Sequence, residues 1–144
     1  MQRAKYKYLP HTADIAFVAY GKSAEKAIEN SAEALLNVML DLKRVKKAAG
    51  RTATTTVKES ADSLENLVWY TLQDILTKID EKKLRAYGFR VKSFSEKNLR
   101  LTGELLYKKM KEDPFLLEVK AVTPEGLAVK KGKNGYEIRI LLDV

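Results

Sequence analysis

The sequence predicts an α+β fold: a mostly antiparallel sheet of about six to seven strands with two amphipathic helices packed on it. Three observations carry that expectation. Two segments repeat apolar residues at helical spacing, seven short runs have strand character, and the late strands follow one another through short turns. Strands joined by short turns pair antiparallel, because a parallel pair needs a crossover of a dozen residues or more. The order along the chain is ββαβα and then strands.

The first helix is predicted from Ser23 to about Leu42, where Ala24, Ile28, Ala32, Leu35, Leu36 and Met39 recur at three- and four-residue steps. Ser23 suits an N-cap, and Glu25 in the first turn suits the positive end of the helix dipole. The second helix is predicted from about Ser63 to Ile79, with Leu64, Leu67, Val68, Leu72, Ile75 and Ile79 in one stripe. Asp62 or Ser63 caps it, and the stripe, with Trp69 and Tyr70 beside it, reads as core.

The strands are Lys5–Leu9, Ile15–Tyr20, Thr52–Lys58, Tyr87–Phe94, Leu99–Tyr107, Phe115–Val122 and Tyr136–Leu142. Lys5–Leu9 alternates with Tyr6 and Tyr8 on one face, and "TATTTVK" is rich in β-branched residues. The joints "SEKN", "KEDP", "TPEG" and "GKNG" carry turn chemistry. "GLAVKKGKNGYEIRI" reads as a closing hairpin with "KNG" at its tip. Repeats, low-complexity tracts and linkers are absent, so residues 1–144 are read as one domain.

Composition narrows the chemistry. With no cysteine, disulfides and thiolate metal sites are excluded, and with one histidine so is a His-rich metal centre. The N-terminal "MQRAKYKYLP" has no apolar signal-peptide core and no run is long enough to span a bilayer, so a cytoplasmic protein is expected. Neither phosphate-cradling glycine motif occurs, and no G-x-S-x-G elbow presents a serine. The 27 basic residues against 19 acidic ones give a net charge of +8, clustered at 42–51, 81–92, 107–114 and 129–135. Such a surface suits an anionic partner, nucleic acid or an acidic protein face, and it equally suits a solvated lysine-rich exterior.

What remains is an oxygen-rich site for a hard cation. The single histidine, His11, stands three residues before Asp14 at the mouth of the Ile15–Tyr20 strand. At the other end of the sequence, Asp143 precedes Val144, whose terminal carboxylate adds a second anionic group. If the last strand runs antiparallel beside Ile15–Tyr20, then Asp14, Asp143 and Val144 meet at one sheet edge, and three anions together need a cation or their pKa values must rise. Asp14 also suits a plain Asx-type turn, and Asp143 a solvated end.

The stretch "HTADIAFVAYGKSAEKAIENSAEALLNVMLDL" resembles the N-terminal signature of the archease family. The resemblance continues through "SLENLVWYTLQDILTKID", "EVKAVTPEGLAV" and "GYEIRILLDV", and so covers most of the chain. It implies a small α+β protein that is itself no enzyme but a cofactor of the RtcB-type RNA ligase of tRNA splicing. Such proteins promote guanylylation of the ligase, sustain its multiple turnover and broaden its use of nucleoside triphosphates. The resemblance further implies a divalent-metal site, calcium first with magnesium or manganese as alternatives, held by Asp14, Asp143 and the Val144 carboxylate. His11 would support Asp14 or touch the partner. Where many family members read K-A-V-T-Y-H-G, this chain has "KAVTPEG", so Glu125 replaces a histidine and is a candidate oxygen ligand or partner contact. The segment "GELLYKKMKEDPF" also departs from the family's G-E-P/R-F-D pattern. A monomer is expected, with tRNA contacted indirectly or through the basic loops. The competing expectation is an independent basic nucleic-acid-binding module; a stand-alone metal-dependent hydrolase would have only His11 as a general base.

Overall fold

The computed structural model describes residues 4–144, so the first three residues of the basic N-terminal stretch lie outside the described residues. The elements are β1 (Tyr6–Leu9), β2 (Ile15–Gly21), α1 (Ala24–Met39), α2 (Leu42–Lys47), β3 (Arg51–Ser60), α3 (Leu64–Lys82), β4 (Arg85–Ser95), β5 (Arg100–Lys109), β6 (Ala121–Gly132) and β7 (Gly135–Asp143). Every strand pairing is antiparallel, as the short connections require. The α+β class therefore holds, with one architectural difference. The strands divide into two sheets, β1-β2-β7-β6 and β3-β5-β4, rather than forming one.

Helix α1 explains the division. It packs against β1, β2 and β7 of the first sheet and against β4 of the second. Its buried residues, among them Ala24, Ala27, Ile28, Ala32, Leu35 and Leu36, run around most of its circumference. A helix resting on a single sheet face needs only one apolar stripe; one held between two sheets needs a wider one, and only the side of Glu25, Lys26 and Asn37 stays exposed. The polar Asn30 and Ser31 are buried too, and both are satisfied, Asn30 Nδ2 donating to Tyr20 O at 2.7 Å and Ser31 Oγ to Ile28 O at 2.8 Å.

The caps follow the sequence. Ser23 Oγ accepts from Lys26 N at 3.1 Å, and Ser63 Oγ from Asn66 N at 3.1 Å. The first helix stops three residues early, at Met39, because Leu40 turns to extended backbone (φ −135°, ψ 154°) and bridges Phe115. Asp41 then caps the short α2, which holds part of the 42–51 basic cluster. Helix α3 runs on to Lys82, and Tyr70, expected in the core, is 36% exposed.

The expected strand Phe115–Val122 is corrected to an irregular segment, with β6 starting only at Ala121. The backbone around residue 115 is already committed to the end of α1. Asp41 N donates to Pro114 O and Leu116 N to Met39 O, each at 2.8 Å, while Phe115 N donates to Asp113 Oδ1 at 3.0 Å. The "TPEG" joint is likewise corrected: it is a bulge inside β6, where pairing with β7 is interrupted between Thr123 and Ala128. The predicted hairpin tip is present, Gly132 pairing with Gly135 across Lys133 and Asn134. Among the described residues no helix is long and apolar enough to cross a membrane.

Helix α3 closes one sheet edge with side chains. Trp69 Nε1 donates to Val122 O at 2.7 Å, and Gln73 Oε1 accepts from Val122 N at 3.0 Å, so both main-chain groups that β6 turns away from β7 there are satisfied. Trp69→Phe leaves that carbonyl unpaired and is expected to lower stability by roughly 1–3 kcal/mol in urea denaturation with an unchanged m-value.

On the same helix, Lys78 Nζ lies 2.6 Å from Asp74 Oδ1, and Asp74 faces Glu59 of β3. Desolvation first, then the hydrogen bond to Asp74 and its charge, push the Glu59 carboxyl up from 4.5 to about 7, against the opposing pull of Lys78. The folded protein thus keeps a proton that the unfolded chain gives up. Stability from this group is full below about pH 4.5 and is lost as pH rises through about 7. Glu59→Gln is expected to flatten the Tm between pH 5 and 8 and to raise it at pH 8, as thermal melts across that range will show.

Candidate functional site

Register decides where the two ends of the sequence meet. Strands β2 and β7 run antiparallel from Gly21 opposite Tyr136 to Ile15 opposite Leu142. Asp14 directly precedes Ile15 and Asp143 directly follows Leu142, so both stand at this end of the ladder, and Asp143 pairs on its other side with Ala121 of β6. Asp143 also accepts from Lys120 N through its main-chain oxygen at 2.8 Å. The sequence places Asp14 there because Pro10, lacking an N–H, ends β1, and residues 12–14 bend before β2 resumes.

Asp14 and Asp143 are both half-buried, as is Val144, whose side chain packs against the core. His11 is exposed, with Nδ1 at 3.9 Å from Asp14 Oδ2, beyond hydrogen-bond reach. Glu125 lies elsewhere. It sits exposed in the β6 bulge, where Gly126 takes φ +74° and Thr123 Oγ1 donates to Glu125 O and Leu141 O, each at 3.1 Å. Thr123 pairs with Leu141, so the bulge begins two residues along β7 from Asp143. Among the described residues no three His, Asp or Glu side chains are grouped to hold a metal ion, so His11, Asp14, Asp143 and Glu125 do not converge as one cage.

The donors that do share the edge are hard oxygens: two carboxylates and the main-chain oxygens of Val144. That chemistry fits a hard divalent cation that keeps much of its water, since such ions bind proteins through one or two carboxylates. The basic tip of the β6–β7 hairpin, with Lys130, Lys131 and Lys133, lies at the other end of β7. Sequence reasoning missed the tie from Lys120 to Asp143 and the bulge that carries Glu125. A proline and a glycine inside four residues signalled irregular backbone, but whether it joined two strands or interrupted one depended on the partner strand.

The model of the Archease protein family (MTH1598/TM1083) matches residues 6–144. The chain belongs to the archease family. A "Protein archease" of Methanosarcina barkeri is 36% identical over 147 residues, covering 99% of this chain and 98% of the relative. Another, of Sulfurisphaera tokodaii, is 32% identical over 144 residues, covering 97% and 99%. The fold matches the solution structure of Methanobacterium thermoautotrophicum protein 1598 with a TM-score of 0.74 at 27% identity, covering 97% of this chain and 99% of that one. A crystal structure of an archease and possible chaperone from Thermotoga maritima matches with a TM-score of 0.63 at 20% identity, covering 100% and 98%, and shows the likeness of fold alone.

The exposed, loosely held His11 contributes little to folding. His11→Ala is expected to change unfolding free energy by less than about 0.5 kcal/mol in urea titrations, so any functional loss in that variant reports on function.

Proposed function

We propose that this chain is a protein cofactor of an RtcB-type RNA ligase, promoting its guanylylation and multiple turnover and broadening the nucleoside triphosphates it accepts. The observation that supports this reading is the antiparallel β2–β7 register, which ends with Ile15 opposite Leu142 and so brings the neighbouring Asp14 and Asp143 toward one sheet end, in a chain of the archease family. In this reading the carboxylates of Asp14 and Asp143, with main-chain oxygens of Val144, hold a divalent cation, calcium first and magnesium or manganese as alternatives. When bound, the cation supplies positive charge for neutralising phosphate oxygens in nucleotidyl transfer. The residues themselves do the positioning. Asp143 is held by the β6–β7 ladder and by Lys120, which fixes its backbone against a rigid sheet. His11 steadies Asp14 or meets the partner, and Glu125, exposed on its bulge, is a second contact on the same sheet. The lysines of the hairpin tip, exposed at the other end of the sheet, would meet RNA.

The test is single-turnover guanylylation of the ligase with this protein added, paired with calorimetric titration of calcium, magnesium and manganese. The wild type is expected to stimulate and to bind a divalent ion. Asp14→Ala and Asp143→Ala are expected to lose both while keeping the wild-type circular dichroism. Undiminished stimulation by either folded variant overturns the acidic-edge reading. Absence of stimulation by the wild type, together with RNA binding that weakens steeply with salt, would favour the independent nucleic-acid module.

A further inference from the structure

The edge strands of the two sheets are not protected alike. On the first sheet, β1 has only four residues and is followed by Pro10, while β6 is broken by its bulge and held at Val122 by Trp69 and Gln73. On the second, β4 is bulged twice against β5, and Glu29 Oε2 accepts from its Val91 N. Short length, bulges and covering side chains all blunt an edge against pairing. Strand β3 has none of these. Its ten residues, Arg51–Ser60, pair with β5 in unbroken register and include no proline or glycine. Among the described residues no side chain or loop bonds the main-chain groups on its other side.

The residues of this edge say which strand fits it. A strand that pairs with a copy of itself about a twofold axis is antiparallel to that copy. In an antiparallel ladder every second residue turns both its N–H and its C=O to a given side. Opposite residues must therefore both be odd-numbered or both even-numbered, which puts the axis through a residue rather than between two. With the axis through Thr55, Thr54 faces Thr56, Ala53 faces Val57, Thr52 faces Lys58 and Arg51 faces Glu59. No like charges meet, and by symmetry the Arg51–Glu59 pair forms twice. Moving the axis to Thr56 sets Glu59 opposite Ala53, and moving it to Thr54 sets Arg51 opposite Val57, so either shift loses both charge pairs. Thr–Thr and opposite-charge pairs are favourable cross-strand neighbours.

Both charges are available. Arg51 is exposed and has no hydrogen bond or ion pair among the described residues. Glu59 stands eight residues on, and since side chains alternate along a strand, the two share a face. Beside Glu59, two carboxylates share one lysine: Lys78 is bonded to Asp74 at 2.6 Å, and desolvation together with Asp74 pushes the Glu59 carboxyl up. A guanidinium arriving across the edge supplies the second positive charge. We propose that β3 is a dimerisation edge, pairing with β3 of a second copy about a twofold axis through Thr55 and joining two three-stranded sheets into one of six strands. This dimer replaces the monomer expected from the sequence. It goes beyond the ligase-cofactor reading and does not depend on it.

Sedimentation equilibrium of the full chain across a concentration series reads the association, and a reversible dimer is expected. Arg51→Glu sets acid opposite acid twice and is expected to weaken the dimer by about tenfold. Adding Glu59→Arg to that variant reverses both pairs and is expected to bring the dimer back to within about threefold of the wild type. Cross-linking reads the register without relying on those charges, because the chain has no cysteine of its own. Thr55→Cys sets the two Cα atoms about 4.5–5.5 Å apart, within disulfide reach, and is expected to give a covalent dimer on mild oxidation. Thr52→Cys sets them about 20 Å apart along the paired strands and is expected not to. A monomer at every concentration, a dimer untouched by Arg51→Glu, or equal cross-linking through residues 52 and 55 overturns the proposal. A double variant that keeps the wild-type circular dichroism but stays dissociated overturns the Arg51–Glu59 pairing, and the axis with it. If the double variant loses that circular dichroism, the two cross-linking variants decide instead.

Discussion

The close approach of α1 to β2 is the constraint on which the remaining structure depends. Gly21 ends β2 against Ala27, and a Cβ at Gly21 would stand 2.2 Å from the Ala27 backbone nitrogen, so no other residue fits. With the helix drawn onto the first sheet, its opposite side is left apolar and must be covered, and the second sheet covers it. Glu29 Oε2 accepts from Val91 N at 2.9 Å, tying the edge of β4 to the same helix. Ala27, Ala32 and Ala34 are all fully buried, and an enlarged side chain at any of them would push against one sheet or the other. Because α1 returns antiparallel to β2, its C-terminal end comes back to the end of β2 where Asp14 stands.

Two small sheets leave more unpaired edges than one large sheet, and exposed edges invite association. Here polar side chains from helices stand in for missing strands: Glu29 at β4, Trp69 and Gln73 at β6. The β6 contacts do more than block the edge. They fix Val122, whose partner on β7 is Leu142, and so hold the strand end that carries Asp143. Helix α3 thus supports the candidate site without touching it.

How much of this was legible in the sequence follows from range. Caps were legible because Ser23 and Ser63 act on amides three residues away. The hairpin was legible because its glycines and "KN" pair act within four residues. The antiparallel β2–β7 pairing was legible as a direction, and it is present from Gly21 opposite Tyr136 to Ile15 opposite Leu142. Failures came where long-range partners chose between local options. "FLLEV" has strand composition, yet its backbone bonds to Met39 and bridges Leu40, about 75 residues earlier, which no local pattern announces. "TPEG" had turn chemistry either way. The split into two sheets goes with the wide buried arc of α1, to which Ala27 and Ala34, outside the expected stripe, both belong.

The charge layout bears on how such a chain meets a partner. Asp14 and Asp143 form an acidic edge on a protein of net charge +8, with lysines gathered at the opposite end of β7. Nine strand residues separate the two ends, roughly 30 Å at about 3.4 Å per residue. The Debye length at physiological salt is about 8 Å, so the ends are electrically independent in solution. The overall positive charge draws the molecule toward a polyanion, but it does not neutralise the acidic edge, whose field is local. An RNA phosphate is therefore repelled at one end and attracted at the other, which gives the approach a direction. A partner that engages the acidic edge must bring positive charge of its own, as a metal ion or as basic side chains, while RNA bound to that partner remains within reach of the lysines only if it extends about 30 Å along the sheet.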